Sequence, residues 1–239
     1  MPNLKEVRLR ITSVNSTSQI TSAMKMVSAA KLKRAQDAIT TMRPYANKLK
    51  EILENVSSGL GSAESVFSQK PKQEKNILIV AISSNRGLAG AYSANILREG
   101  ERLTELLKDE QGKTVVPFIV GRKGLGYYKF RNREVAGSWT GITDRPTYDH
   151  AREIAKSLLE IFLKPEEQGG VHEIQVIYTR FVNRISQVPV VQRIVPLEVV
   201  EELVTSSPKM TEVDTHKPAL PLYDFEPSPE AVLDQLLPK

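Results

Sequence analysis

From Asn3 to Arg43 the chain contains neither glycine nor proline, and Tyr45–Ser58 contains neither as well. A run of that length without a breaker can only be one long helix or a bundle of helices joined without the usual turn residues. With no turn signal before Pro44, a single helix of some 55 residues is the simpler expectation. It would be about 80 Å long at 1.5 Å per residue. Pro44 is the one position expected to kink or interrupt it, because a mid-helix proline removes a hydrogen bond and crowds the preceding turn.

The apolar residues of this run are too sparse to seat it on a core. Leu4, Val7, Ile11 and Val14 keep the three-four spacing of a seam. The spacing then reaches Ser18 and Thr21, so the seam is expected to fail there, with offset seams starting at Ile20–Met24–Val27 and again at Met42–Tyr45–Leu49. Alanines 23, 29, 30, 35 and 38 fill the gaps and permit close backbone approach. Narrow seams suit a helical partner, so residues 1–58 read as a coiled-coil arm.

Charge points the same way. Residues 1–58 hold ten Lys and Arg against four acids, a net +6, whereas the whole chain carries +5, which leaves −1 for the remaining 181 residues. Basic character therefore belongs to the arm, and an acidic partner is the natural inference. Methionines 24 and 26 and Val27 lie among those charges, where a solvated charge run needs no apolar group; methionine is an adaptable contact residue. A basic helix also raises nucleic acid as a partner, but only Tyr45 is interleaved as an aromatic, and the cations wind around the helix without forming one stripe. No nucleic-acid partner is expected.

Residues 59–75 read as a polar linker, and residues 76–204 change pattern altogether. NILIVAIS (76–83) and KTVVPFIV (113–120) are buried-strand runs, and REVAGSW (133–139) is a short third strand. Residues 173–183 and 185–198 flank a short connection and read as a long hairpin. Helical segments intervene at 91–110, at about 123–131 and at 147–164. The expectation is an α/β fold: a Rossmann-like, mostly parallel sheet flanked by helices, with an antiparallel edge, plus the long N-terminal helix. Residues 205–239 read as a loop followed by a short helix over 228–237.

Composition excludes several chemistries. There are no cysteines, so no disulfide, thiolate nucleophile or thiolate-bound metal, and the three histidines fit no metal spacing. Ser83, Ser84, Asp144, Asp149 and Glu173 are acid, base or nucleophile candidates that no spacing couples, and no catalytic residue is expected. SSNRGLAGAY (83–92) sits between a strand and a helix, where phosphate-binding turns occur, but it matches neither G-x-x-x-x-G-K-[ST] nor G-x-G-x-x-G. Arg86, Gly87 and Gly90 are accordingly read as a structural turn, as is GRKG (121–124), with no cofactor. An enzyme or binding protein for a phosphorylated ligand at Gly87–Gly90 is the alternative.

At ITSAMKMVSAAKLKRAQ followed by RPYANKL, and again at ISSNRGLAGAYSANI, GRKG and YDFEPSPEAVLDQLLP, the chain resembles the gamma subunit of rotary F-type ATP synthases. The likeness runs over essentially the whole sequence. It implies a non-catalytic central shaft that passes torque between a ring of c subunits and the alpha and beta subunits, in a proton-translocating complex peripheral to the bacterial inner membrane on its cytoplasmic side. It implies contact of Met24, Lys25 and Met26 with acidic lever loops of the beta subunits, extended by inference to Lys31, Lys33 and Arg34. It implies contact of Tyr223, Phe225 and Glu226 with the c ring and the epsilon subunit at the foot. Two positions depart from the family pattern. Ala89 stands where a cysteine is common, and the family's C-terminal helix, which pairs with the N-terminal one, has no counterpart before Lys239.

Overall fold

The structure, a computed structural model, describes residues 3–60, 75–183 and 185–197, together with the isolated residues 226 and 232. It divides into two units, residues up to Asn55 and residues from Val56 onward.

The first unit is helix α1, Leu4–Leu60, up to Asn55, its last residues being counted with the second; the helix is continuous through Pro44. It runs two residues into the expected linker. The threonines along it bond back to their own helix: Thr17 Oγ1 donates to Ser13 O (2.9 Å), Thr21 Oγ1 to Thr17 O (3.0 Å), and Thr40 and Thr41 to Gln36 O and Asp37 O (3.0 and 2.9 Å). These side chains are therefore satisfied without a partner, the usual way a hydroxyl is tolerated inside a helix.

The helix is unbroken, but the spacing set by Leu4 and Val14 leads through Ser18, Thr21, Lys25 and Ser28, four successive polar positions, before it meets apolar residues again at Leu32, Ala35, Ile39 and Met42. Leu32 and Leu49 are only half exposed, whereas the other described residues from Asn3 to Lys48 are exposed. Apolar members such as Leu4 (68%) and Ile11 (55%) thus meet solvent. The three-four spacing of Leu4, Val7, Ile11 and Val14 is the kind that suits a left-handed helical pairing.

The second unit is a five-stranded sheet in the order β3-β2-β1-β4-β5. Its strands are β1 (Asn76–Ile82), β2 (Thr114–Val120), β3 (Gly137–Trp139), β4 (Glu173–Phe181) and β5 (Gln187–Val195). The first four are parallel, and β5 returns antiparallel beside β4 as the outer edge. Pro189 sits in β5, where the missing amide costs nothing on the edge side. β1 is central and apolar at every position after Asn76, because side chains alternate faces and both faces are covered. Ile77, Ile79 and Ala81 join Ile119 and Ile177 on one face, against Ile96, Leu97 and Leu103 of helix α2 (Tyr92–Glu105) and Tyr128 of helix α3 (Arg122–Phe130). Leu78 and Val80 join Phe118, Val120 and Ile174 on the other, against Leu158 of helix α4 (Tyr148–Phe162).

Two histidines serve the backbone. His150 completes a reciprocal cap with Thr147 at the start of α4, and His172 Nδ1 accepts from the amides of Lys75 (3.3 Å) and Asn76 (3.2 Å). A wide π turn, Leu106–Glu110, extends α2 and was not expected from the sequence. The expected helix at 228–237 lies outside the described residues apart from Val232, and His216 is outside them as well. No described helix is long and apolar enough to cross a membrane.

Candidate functional sites

Two places were open to function: the turns at the C-terminal ends of β1 and β2, and the exposed face of α1. The turns come first, since they carry the phosphate question.

Ser83 follows β1 and is fully buried. Its hydroxyl donates to Val120 O (2.8 Å) and accepts from the amide of Gly124 (2.9 Å). The next two amides of α3 are equally occupied, Lys123 N by Ser84 O (2.9 Å) and Arg122 N by Asn85 Oδ1 (3.1 Å). The leading amides of a helix are what a phosphate would use. Here the β1 turn has already taken them. Space confirms the tight fit: a Cβ on Gly124 would stand 2.7 Å from Ser83 Oγ and 2.8 Å from Ile119 Cγ2, and Gly121 (φ 102°) backs onto the Ser83 carbonyl. GRKG is thus a glycine pair shaped for helix–strand packing.

Asn85 is the residue that sequence reasoning missed. It is 4% exposed and ties three loops together, its side-chain Oδ1 accepting from Arg122 N and Gly141 N (both 3.1 Å) while its backbone N–H donates to Thr143 Oγ1 (3.1 Å). Nothing in the sequence separates this asparagine from an ordinary turn residue. Arg86 Nε pairs with Asp144 Oδ2 at 2.7 Å, mostly in solvent. Gly90 takes a left-handed φ of 57°, as glycine readily does, but Gly87 does not; the other left-handed residue is Leu88 (φ 59°), 91% exposed at the tip of the turn. Tyr92 opens α2 and donates its hydroxyl to Ile82 O (3.0 Å); burial raises its pKa.

The acid–base candidates stay apart. Ser84 bonds Ser93 (2.8 Å), Asp144 bonds Arg86, Asp149 lies in the first turn of α4, and buried Glu173 accepts from Gln175 Nε2 (2.6 Å). Ser84, Asp144 and Glu173 each have a local partner, Ser84 and Asp144 both touching Arg86.

On α1 the six expected contact residues do not share one face. At about 100° per residue, Met26 and Lys33 stand in one line, Ile20, Val27 and Arg34 in a second about 100° further round, and Met24 and Lys31 in a third, with Lys25 between these and the first. Apolar Ile20, Met24, Met26 and Val27 are thus followed, one to two turns on, by Lys31, Lys33 and Arg34, spread around much of the helix. All of these are exposed. Ile20 and Val27 complete the apolar half and were not among the expected contacts. Of the expected foot residues, Tyr223 and Phe225 lie outside the described residues, and Glu226 is exposed.

Comparison with known proteins bears directly on this arrangement. A family profile described as ATP synthase matches residues 3–239. The ATP synthase gamma chain of Nocardioides sp. (strain ATCC BAA-499 / JS614) is 42% identical over 237 residues, covering 99% of this chain and 75% of the relative. That of Thermobifida fusca (strain YX) is 43% identical over 236 residues, again covering 99% and 75%. Among solved structures, the central stalk and c-ring of the Tetrahymena thermophila mitochondrial ATP synthase aligns with a TM-score of 0.56 at 26% identity, over 74% of this chain and 72% of that one. The rotor of the Euglena gracilis enzyme aligns at 0.52 and 17% identity over 78% and 60%, a likeness of fold. With a family profile over nearly the whole sequence, relatives above 40% identity and a solved central stalk of similar fold, the chain belongs to the ATP synthase gamma-chain family, whose place is the central stalk.

Proposed function

We propose that the chain is a non-catalytic rotor element that transmits torque between a c-subunit ring and the catalytic alpha and beta subunits of a proton-translocating ATP synthase. The complex lies on the cytoplasmic face of a bacterial inner membrane, and the chain is peripheral to that membrane through its partners, epsilon among them. In this reading residues 1–58 are the shaft arm, 76–204 the body, and 205–239, with Tyr223, Phe225 and Glu226, the foot against the c ring and epsilon. In it α1 meets the beta subunits through Met24, Lys25, Met26, Lys31, Lys33 and Arg34.

The observation that carries it is the composition of the exposed surface of α1 around residues 20–34. A rotating shaft faces several neighbours in turn. A wide apolar face would bind one orientation too well, whereas flexible methionines and solvated cations make contacts of about 1 kcal/mol or less each, which exchange readily. The seam, in contrast, suits a permanent helical partner. A phosphorylated ligand at Gly87–Gly90 finds less support, because the turn matches no phosphate-binding motif and the leading amides of α3 beside it are taken.

The test replaces Lys31, Lys33 and Arg34 together by glutamine in the assembled complex. The complex should assemble, and ATP-driven proton pumping per ATP hydrolysed should fall severalfold. Unchanged coupling in an assembled triple variant would remove the electrostatic contact.

A further inference from the structure

We infer that the cavity along the open half of β2 is a binding site for a short, uncharged peptide segment in extended conformation, which joins the sheet as a strand beside Val115. The site stands apart from the rotor role. The buried core of the sheet keeps its scaffold duty, and the binding falls on a stretch of edge that no described element covers.

β3 pairs only with Phe118, Ile119 and Val120, so the first half of β2 has no outer neighbour among the described residues. The bonds around it fix where its backbone groups point. Thr114 N and Val120 O face the β1 side, bonded to Lys75 O and Ser83 N (both 2.7 Å), whereas Pro117 O faces outward to Ala136 N (2.9 Å). Backbone pairs alternate sides along a strand, so Val115 directs both its N–H and its C=O outward. Neither has a partner among the described residues. Pairing cannot spread from there: Lys113 N is held by Leu107 O (2.9 Å), and Pro117 has no N–H to give. A visiting strand therefore has one register, centred on Val115, with room for about three residues at about 3.3 Å each.

Space and chemistry match that register. A cavity of about 1160 Å³ opens here between α2 with its π turn and α3, lined by Val115, Pro117, Leu125 and Val135 among others. Tyr128 lines it as well, and at 6% exposure its hydroxyl has no hydrogen-bond partner among the described residues. Asn85 Nδ2, Gln175 Oε1 and Thr179 Oγ1 are sealed without partners, but the Tyr128 hydroxyl is not sealed, so a group in the cavity can reach it. Burial pushes its pKa up, which keeps it a donor at neutral pH. A donor buried without an acceptor is costly, and an occupant that brings one relieves it. The charged residues lining the cavity nearly cancel, four acids against three bases, and Glu101 is already paired with Arg133 (2.8 Å). A charged segment gains little there. A backbone donor and acceptor at strand spacing, an apolar side chain and a further carbonyl are what an extended peptide supplies, and strand addition to a sheet edge is a general mode of peptide capture. A purely apolar solute supplies only the side chain.

The experiment titrates the full chain, isotope-labelled for NMR, with capped tripeptides whose central residue is valine, proline or glutamate. The valine peptide should move the Val115 amide resonance saturably. The proline peptide lacks the central N–H and should bind about fivefold more weakly, the ordinary worth of one hydrogen bond. The glutamate peptide should bind no tighter than the valine one. Tyr128→Phe removes the hydroxyl alone and should weaken the valine peptide by a similar factor. No movement at Val115 would overturn the site, and equal affinity for the valine and proline peptides would overturn strand addition. Tighter binding of the glutamate peptide would overturn the uncharged class, and unchanged affinity in Tyr128→Phe would remove the phenol from the site. None of these outcomes reads coupling, so failure here leaves the rotor role as it stands.

Discussion

The sheet unit and α1 handle their apolar residues in opposite ways. In β1 and β2, Ile77, Leu78 and Ile119 are completely buried by helices of the same unit. In α1, Leu4, Ile11 and Val14 are more than half exposed although they are just as apolar. Burial of a large aliphatic side chain is worth about 1.5–3 kcal/mol, so one unit realises that term within itself and the other leaves it available. A surface that withholds its hydrophobic term from folding can spend it on association. The difference assigns binding to α1 and scaffold duty to the sheet.

The largest effect expected from this contrast is in the sheet. Ile119 lies at 0% exposure between β1 and α3, and its Cγ2 is one of the atoms that crowd Gly124. Ile119→Ala should lower the unfolding free energy by about 4 kcal/mol, near the upper part of the range for buried aliphatic truncations, because two packed layers limit collapse of the cavity. Urea denaturation followed by the fluorescence of Trp139 reads it well. That residue is the single tryptophan and stacks on Phe118 at 5.6 Å between centroids, on the opposite face of the sheet. A loss below 1 kcal/mol would mean that the sheet core is not tightly packed, and the contrast with α1 would weaken.

A middle-sized effect is expected at the turn that closes the sheet. The Tyr92 hydroxyl donates to Ile82 O at 3.0 Å, and burial holds its pKa above the ordinary tyrosine value. The raised folded pKa fixes the sign. The native state prefers the protonated phenol, so its contribution is fully present below the unfolded pKa of about 10 and is lost as pH rises through the folded value. Tyr92→Phe should cost about 1 kcal/mol at neutral pH, the ordinary worth of such a bond. Above pH 10 the variant should lose stability less steeply than the native chain. Parallel alkaline stability curves for the two proteins would show that the phenol is not what responds.

How much of this was legible beforehand divides along the same line. The strands could be read because burial on both faces writes itself as an unbroken apolar run, as in NILIVAI, and this survives any error about what packs above it. The hairpin of β4 and β5 and the helix capped by Thr147 were legible for similar local reasons. Asn85 was not, because its value arises where Arg122, Gly141 and Thr143 converge, which is set by tertiary folding and by nothing within five residues of it. The length of α1 was legible because no breaker but Pro44 interrupts it, whereas the apolar spacing is broken at Ser18, Thr21, Lys25 and Ser28 and does not mark one side from end to end. Met24, Lys25 and Met26, grouped by adjacency in sequence, point in successive directions about 100° apart.

The smallest effect is the sharpest test of the comparison. Ile11 sits in the seam of α1 at 55% exposure, so Ile11→Ala removes the same atoms as Ile119→Ala from a site that the chain does not bury. In the isolated protein the expected change is within about 0.5 kcal/mol. It could even carry a gain in helicity, since alanine loses less side-chain freedom in a helix than a β-branched residue does. Circular dichroism at 222 nm during thermal melting reads both the helix content and the midpoint. In an assembled ATP synthase the same substitution should raise the dissociation of whatever covers the seam, because the isoleucine then becomes a buried contact. If Ile11→Ala instead destabilised the isolated chain as much as Ile119→Ala, residue 11 would already be packed in solution. The term assigned to partner binding would then belong to folding, and the division of labour between the two units would not hold.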